Sequence, residues 1–294
     1  MTERYGIAEW YGRGFLDLQP RERLQFADVA LGNQSDALPD CPFQPGRPTC
    51  RKKGGVCGLR RYAGDHGRIK HERGGLVVTC PRRFEQESVV LHWLVDILGL
   101  DQSKTRMAEV AFMANIKTGR PAGKIDLIVA ESRHGRLNWH GLEIQAVYFS
   151  GLRMEKEFLT LANDRHEQAP FPQDVRRPDW RSSSAKRLLP QLQIKAPTLR
   201  RWGAKLAVCV DPQFFEWIGG PSREPTQDLD AGDIVWMVPN LVERAGGSWG
   251  LQRGHWEVLT LEHTEVKLQA ARTVSRAEFE QSLASRLKEL PRES

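Results

Sequence analysis

Three short apolar runs, each carrying one carboxylate, constrain this chain more than any other feature. Glu109 lies in "MAEVAFM", Asp126 in "GKIDLIVA" and Glu143 in "GLEIQAVYF", all within 35 residues. Each run is rich in aliphatic and β-branched residues, which predicts strands over 107–113, 124–131 and 138–148. "ESRHGR" supplies hairpin punctuation between the last two. Side chains two apart on a strand share a face, so Glu143 and Gln145 project side by side. Carboxylates are costly in a buried sheet but tolerable when they share a divalent cation, and such a cation can activate water against a phosphodiester. The plainer reading makes Glu143 and Gln145 the wet face of an edge strand. The company these acids keep decides between the two.

That company is basic, and it is segregated. The net charge is +6, yet residues 41–83 alone carry +9 and residues 165–205 carry +7, leaving −10 on the remainder. Two basic tracts on an acidic body form an electrostatic footprint for nucleic acid, whereas solvated faces intersperse their charges. No run of eighteen apolar residues exists, and "MTERYGIAEW" lacks the hydrophobic stretch of a signal peptide. A soluble, cytoplasmic protein that does not meet a membrane is expected.

Residues 1–35 read as an N-terminal segment packing on the core, with a short helix near 20–31. Residues 36–84 are rich in Pro, Gly, Arg and Cys and poor in large aliphatics, so something other than their own core must hold them. Residues 85–294 read as the catalytic core. There "EQESVVLHWLVDILGL" predicts a buried helix and residues 149–165 another. A Pro-rich basic loop at 168–183 leads into a helical segment interrupted by Pro190 and Pro197, and strands return at 204–211 and 232–238. Ser275 and Glu278 make a capping box before a stripe of Phe279, Leu283, Leu287 and Leu290, which is expected to dock on the core or on a partner subunit.

Four of the five cysteines, Cys41, Cys50, Cys57 and Cys80, fall within the core-poor segment at C-x8-C-x6-C-x22-C spacing. A reducing cytoplasm disfavours disulfides, and a tetrahedral four-thiolate metal would supply folding energy that burial cannot. Zinc and iron are not distinguished by residue type. His66 and His71 are read as polar or phosphate-facing, and Cys209 in "LAVCVD" as a packed thiol.

Taken together, "CPFQPGRPTCRKKGGVCGLRRY" with "VVTCPRRF", then "MAEVAFM", "GKIDLIV", "LEIQAVYFSG" and "RPDWRSSSAKRLLPQLQIKAPTLRRWG" resemble a NotI-type (NotI/EagI-like) restriction endonuclease over most of residues 41–203. The D…ExQ pattern is a variant of the PD-(D/E)xK nuclease signature in which Gln145 stands where most members carry lysine, and Ile125 rather than proline precedes Asp126. The resemblance implies an α/β fold with a PD-(D/E)xK core, a mixed central sheet flanked by helices, beside a small four-cysteine metal-binding segment. It also implies a homodimer, Mg²⁺-dependent cleavage of double-stranded DNA at a GC-rich palindrome, and a structural iron on Cys41, Cys50, Cys57 and Cys80. Carried over by motif, Glu109, Asp126, Glu143 and Gln145 form the catalytic set. Asp126 and Glu143, with the Ile144 carbonyl, would hold Mg²⁺ while Gln145 positions the attacking water.

Within a recognition loop around 165–203, arginine can read guanine bidentately and aspartate can accept from cytosine. Arg177, Asp179 and Arg181 are therefore expected to face base edges, and Lys186 and Arg187 to hold phosphate. Two rivals share parts of this pattern: another PD-(D/E)xK enzyme such as a repair nuclease or resolvase, and a non-catalytic, metal-stapled DNA-binding protein.

Overall fold

The structure is a computed structural model that describes residues 2–34, 38–103, 105–151, 153–244, 247–270 and 274–289. Its centre is a six-stranded mixed sheet. In chain order its strands are β5 (Arg106–Ala114), β6 (Pro121–Arg133), β7 (Arg136–Gln145), β10 (Leu206–Val210), β11 (Ile234–Glu243) and β12 (Trp249–Leu259). They lie side by side as β12-β11-β10-β7-β6-β5, with β10 parallel to both β7 and β11 and the remaining pairs antiparallel. The β6–β7 hairpin turns on His134 and Gly135, both at positive φ (51° and 75°), the conformation a two-residue type I′ turn requires.

Alternation along the central strands divides the core. Leu206, Val208, Val210, Ile234 and Trp236 face one side, with Leu192, Ala196 and Leu199 of α5 (Leu189–Arg201), Phe214 and Phe215 of α6 (Pro212–Trp217), and Leu268 of α7 (Leu261–Gln269). Ala207, Cys209, Val235 and Met237 face the other, with Val90, Trp93 and Leu94 of α2 (Val89–Ile97). Cys209 is a fully buried core thiol, as its run predicts. Helices on both faces of a sheet explain why these strands read as unbroken apolar runs.

A second, antiparallel sheet has the order β2-β1-β3-β4, from β1 (Thr2–Trp10), β2 (Arg13–Gly14), β3 (Val56–Asp65) and β4 (Arg68–Val78). Ile7, Trp10, Leu59 and Tyr62 pack with Phe158 and Leu161 of α3 (Glu155–Asn163), while α1 (Pro20–Leu31) lies beside α3. β1 therefore belongs to the element that holds residues 56–78, a pairing that its mixed composition does not announce. β8 (Phe149–Ser150) pairs with β9 (Arg177–Pro178), and α4 (Trp180–Ser183) follows.

Two expectations need correction. Residues 180–201 are helical throughout: a π-helical turn at Ser184–Leu188, just before Pro190, joins the short helix from Trp180 to α5, and α5 runs on through Pro197. The α8 helix (Arg276–Glu289) has its Ser275–Glu278 capping box, but Phe279 and Leu283 are 59% and 44% exposed, so this half of the stripe does not dock on the core. The Leu287 side chain and Leu290 lie outside the described residues. Among those described, no helix is long and apolar enough to cross a membrane.

The two sheets are tied at Asp211, which is fully buried after β10. Its carboxylate caps α6 by accepting from Gln213 and Phe214 N–H (2.8 and 3.1 Å), and its second oxygen accepts from Val78 N–H of β4 (2.8 Å). Asp211→Ala removes a cap worth about 1 kcal/mol and orphans a buried N–H at about 1–3 kcal/mol. A loss of roughly 2–4 kcal/mol in urea unfolding is expected. Asp211→Asn must turn an amide N–H₂ toward one of these donors, so it too is expected to destabilise.

Candidate active site

The predicted acids meet because the sheet opens between β6 and β7. These strands pair from Arg133 and Arg136 as far as Leu127 and Leu142, and there the pairing ends. β7 continues alone against β10 to Gln145. At the opening, the Asp126 carboxylate takes over from the ladder: Oδ2 accepts from Ile144 N–H (3.0 Å). On the other edge of β6 the register passes from Ala108↔Ile128 to Val110↔Ile125, so Asp126 and Leu127 together oppose Glu109. Such a bulge re-aims side chains, and bulges are frequent beside active sites.

Asp126, Glu143, Ile144 and Gln145 line a cavity of about 960 Å³, to which the first basic tract contributes Lys52 and Lys53. A neighbouring cavity of about 420 Å³ shares Asp126 and Ile144 and adds Glu109, Lys124 and Arg82. Glu109 is half-exposed and paired with Lys124 (2.8 Å), whose hydrogen bond holds its carboxyl below the usual range.

Glu143 is 2% exposed. Burial, and after it the charge of Asp126, pushes its carboxyl up to about 7, while Lys195 pulls the other way. Lys195 Nζ lies 2.6 Å from Glu143 Oε1 and 3.0 Å from Gln191 Oε1, one turn earlier on α5. Sequence reasoning missed Lys195, which arrives from 52 residues away. Its signal was a lysine inside the apolar stripe of Leu192, Ala196 and Leu199. Gln145 is also buried, and its amide nitrogen donates to the Ala146 carbonyl (2.5 Å).

The donor set left facing the cavity suits a hard cation. Asp126 Oδ2 accepts from Ile144 N–H and Glu143 Oε1 from Lys195, and the Asp126 backbone N–H also hydrogen-bonds the Glu143 carboxyl, so the two acids are held on either side of the Ile144 backbone at one cavity.

Cys41, Cys50, Cys57 and Cys80 are all buried and free of disulfides. Cys41 and Cys50 flank a two-residue bridge between Asp40 and Thr49, and Cys80 N–H donates to the Cys57 carbonyl (3.2 Å). Burial raises the thiols of Cys50, Cys57 and Cys80, and neighbouring members of the quartet push each of them further up. Among the described residues, however, no three His, Cys, Asp or Glu side chains are drawn close enough to hold a metal ion. His66 and His71 are exposed on the β3–β4 hairpin.

The basic tract is a loop only as far as Asp179: Arg181 lies in α4 and Lys186 and Arg187 in the π-helical turn Ser184–Leu188 that follows, and these three with Arg177 are exposed. Arg187 stacks over the Tyr148 ring at 3.7 Å. Asp179 caps α4 by accepting from Ser182 N–H (2.9 Å), and this bond lowers its carboxyl below the usual range. Arg176 is buried against Glu157 and Asp174, so it is a structural cation.

The family model for restriction endonuclease NotI matches residues 25–251, a span that includes the opened strands, all four clustered cysteines and the basic loop. No curated protein and no solved structure matches the chain. A match over most of the length, on a chain that brings Asp126 and Glu143 to one cavity, sets aside the non-catalytic and repair-enzyme readings: this chain belongs to the NotI restriction endonuclease family and is a site-specific deoxyribonuclease acting on double-stranded DNA.

Proposed function

We propose that the chain is a Mg²⁺-dependent PD-(D/E)xK enzyme that cuts a GC-rich palindrome as a cytoplasmic homodimer, with its chemistry at Asp126, Glu143 and Gln145. The observation that carries this reading is the cavity where β6 and β7 part, lined by those three side chains. Asp126 and Glu143 would hold the ion, with the Ile144 carbonyl as third protein ligand. When bound, Mg²⁺ lowers the pKa of a water and neutralises charge on the phosphate. Lys195 anchors Glu143, and Gln145, one of whose amide N–H groups donates to the Ala146 carbonyl, has the rest of its amide to position the attacking water. Glu109 orients the outer shell or shares a second ion. Incubating the protein with mixed-sequence genomic DNA, with and without Mg²⁺, and sequencing the ends tests this. Ends without a common palindrome, or cutting in EDTA, would overturn it.

The cysteine quartet is read as a structural zinc or iron site, supported by four buried thiols without disulfides in one core-poor segment. One metal per chain is expected by elemental analysis. Cys57→Ser is expected to lose it and to lower thermal stability more than Cys209→Ser, because ligand loss removes binding free energy from the folded state. Four thiols that alkylate freely in a metal-free folded protein would refute the site.

For sequence reading, Arg177 and Arg181 remain the candidates for base edges, and Lys186 and Arg187 for phosphate. Asp179 is proposed to hold the loop in shape through its cap, besides any contact with cytosine. Arg177→Ala or Arg181→Ala is expected to cost about 1–3 kcal/mol at one base pair and to relax specificity there. Lys186→Ala is expected to weaken binding to all sequences alike. Equal losses on cognate and random DNA for both arginines would make the loop a clamp.

A further inference from the structure

The β5–β6 ribbon outruns the sheet that carries it. β6 leaves β7 at Leu127, yet β5 and β6 remain paired on through Val110↔Ile125, Ala111↔Lys124 and Met113↔Gly123. The two-stranded extension thus starts at Glu109 and Asp126, the acids of the candidate site, and projects away from it. Isolated two-stranded ribbons are marginal in water, so one this exposed needs either an anchor or a partner.

Both are legible. The anchor is Phe112, set edge-on against Trp202 with ring centroids 6.0 Å apart; Trp202 in turn meets Trp139 at 6.0 Å. Met113 lies across Gly123, with its terminal methyl 2.9 Å from where a Cβ would sit. The tip is pre-formed. Asn115 Oδ1 accepts from the N–H groups of Lys117 and Thr118 (3.0 Å each), Asn115 N–H donates to Arg120 O (2.8 Å), and Gly119 takes φ 67°. A turn fixed by its own side chain costs little ordering entropy on binding.

What the tip presents is unspent. Residues 113–120 are all exposed, Ile116 fully so, and among the described residues neither Lys117 nor Arg120 has an ion-pair partner. Across 109–125 there are three cations and one acid, and that acid, Glu109, is already matched by Lys124.

We propose that this ribbon is an arm that grips double-stranded DNA beside the scissile phosphate. Lys117 and Arg120 hold backbone phosphates, and Ile116 faces the groove. The inference rests on the active-site reading only for where the cut falls. Two-stranded ribbons fit DNA grooves, and positive charge at the tip matches a polyanion rather than the exposed, apolar stripe of a second protein copy.

The test uses the full chain in EDTA, with fluorescence anisotropy on a duplex carrying the site and on a random duplex, across a salt series. Lys117→Ala/Arg120→Ala is expected to weaken binding to both duplexes by on the order of tenfold at 0.15 M salt and to lower the salt slope by about two, near 0.9 per lost phosphate contact. Ile116→Ser is expected to weaken binding with the salt slope unchanged. Since all three side chains are exposed, thermal melting should not move, and a lowered melting temperature would overturn the assignment of these side chains to DNA. Wild-type affinity and slope in the double variant would overturn the arm, as would subunit dissociation in sedimentation with undiminished DNA binding, which makes the ribbon a subunit contact. Ribbon-dependent binding without Mg²⁺-dependent cutting would sink the active-site reading and leave the arm standing.

Discussion

Asp126→Asn is expected to reduce cleavage by about a thousandfold or more while leaving binding of double-stranded DNA nearly unchanged. A metal-ligand charge contributes several kcal/mol to the transition state, and each 1.4 kcal/mol is tenfold in rate. Asparagine is nearly isosteric, and its side-chain oxygen can still accept from Ile144 N–H, so the opened strands should keep their shape. Glu143→Gln is expected to match it in activity but not in stability. It leaves Lys195 buried beside a neutral amide, and removing one member of a buried ion pair is costly. Single-turnover cleavage and anisotropy binding, measured on the same preparations with urea unfolding, separate the two effects. Mg²⁺-dependent cutting retained by both variants would remove Asp126 and Glu143 from the active site.

The largest stability effect is expected away from the chemistry, at Glu9 and Arg83. Both side chains are fully buried, and Arg83 Nε lies 2.7 Å from Glu9 Oε2. Arg83 also donates to the Trp249 carbonyl and to Gln86 Oε1 (2.6 Å each) and stacks over Phe43 at 4.6 Å. One guanidinium thus joins β1, the cysteine segment and β12. Arg83→Met leaves an unpaired carboxylate in the interior, and a loss of about 3–5 kcal/mol is expected from urea unfolding. Combining it with Glu9→Leu should recover much of that loss, because the pair is coupled. Burial raises the Glu9 carboxyl, and Arg83 opposes the rise. Without Arg83 the folded-state pKa climbs further above the unfolded value. The folded protein then binds the proton more tightly than the unfolded chain does, so the variant's deficit is smallest at acid pH and grows as pH rises past the unfolded value near 4.5. A deficit independent of pH between 5 and 8 would show that Glu9 is not the group left unpaired.

Much of the central sheet was legible in the sequence. β5, β6, β7, β10 and β11 fall within a few residues of the apolar runs that predict them; for the central β10 and β11 the reason is that a sheet covered on both faces demands continuous aliphatic strands. The capping box before α8 and the buried Cys209 were equally local, as was the placing of Glu143 and Gln145 on one strand. The family itself was carried by short motifs.

Other features were decided between elements. β1 reads as mixed aromatics and acids because its buried half is enclosed by partners from β3, α1 and α3, which no local period encodes. Pro197 does not stop α5, because that helix is packed along its length against the sheet, and packing outweighs one missing donor. The α8 stripe has the right period and no surface to meet among the described residues, since periodicity specifies a face and not its neighbour. The candidate site divides the same way. Which acids are available follows from the chain alone. That β6 parts from β7 at Asp126, that a register shift sets Glu109 opposite Asp126 and Leu127, and that Lys195 reaches Glu143 from a distant helix are settled by strand register and helix packing. Those depend on contacts distant in sequence, and only the folded chain makes them.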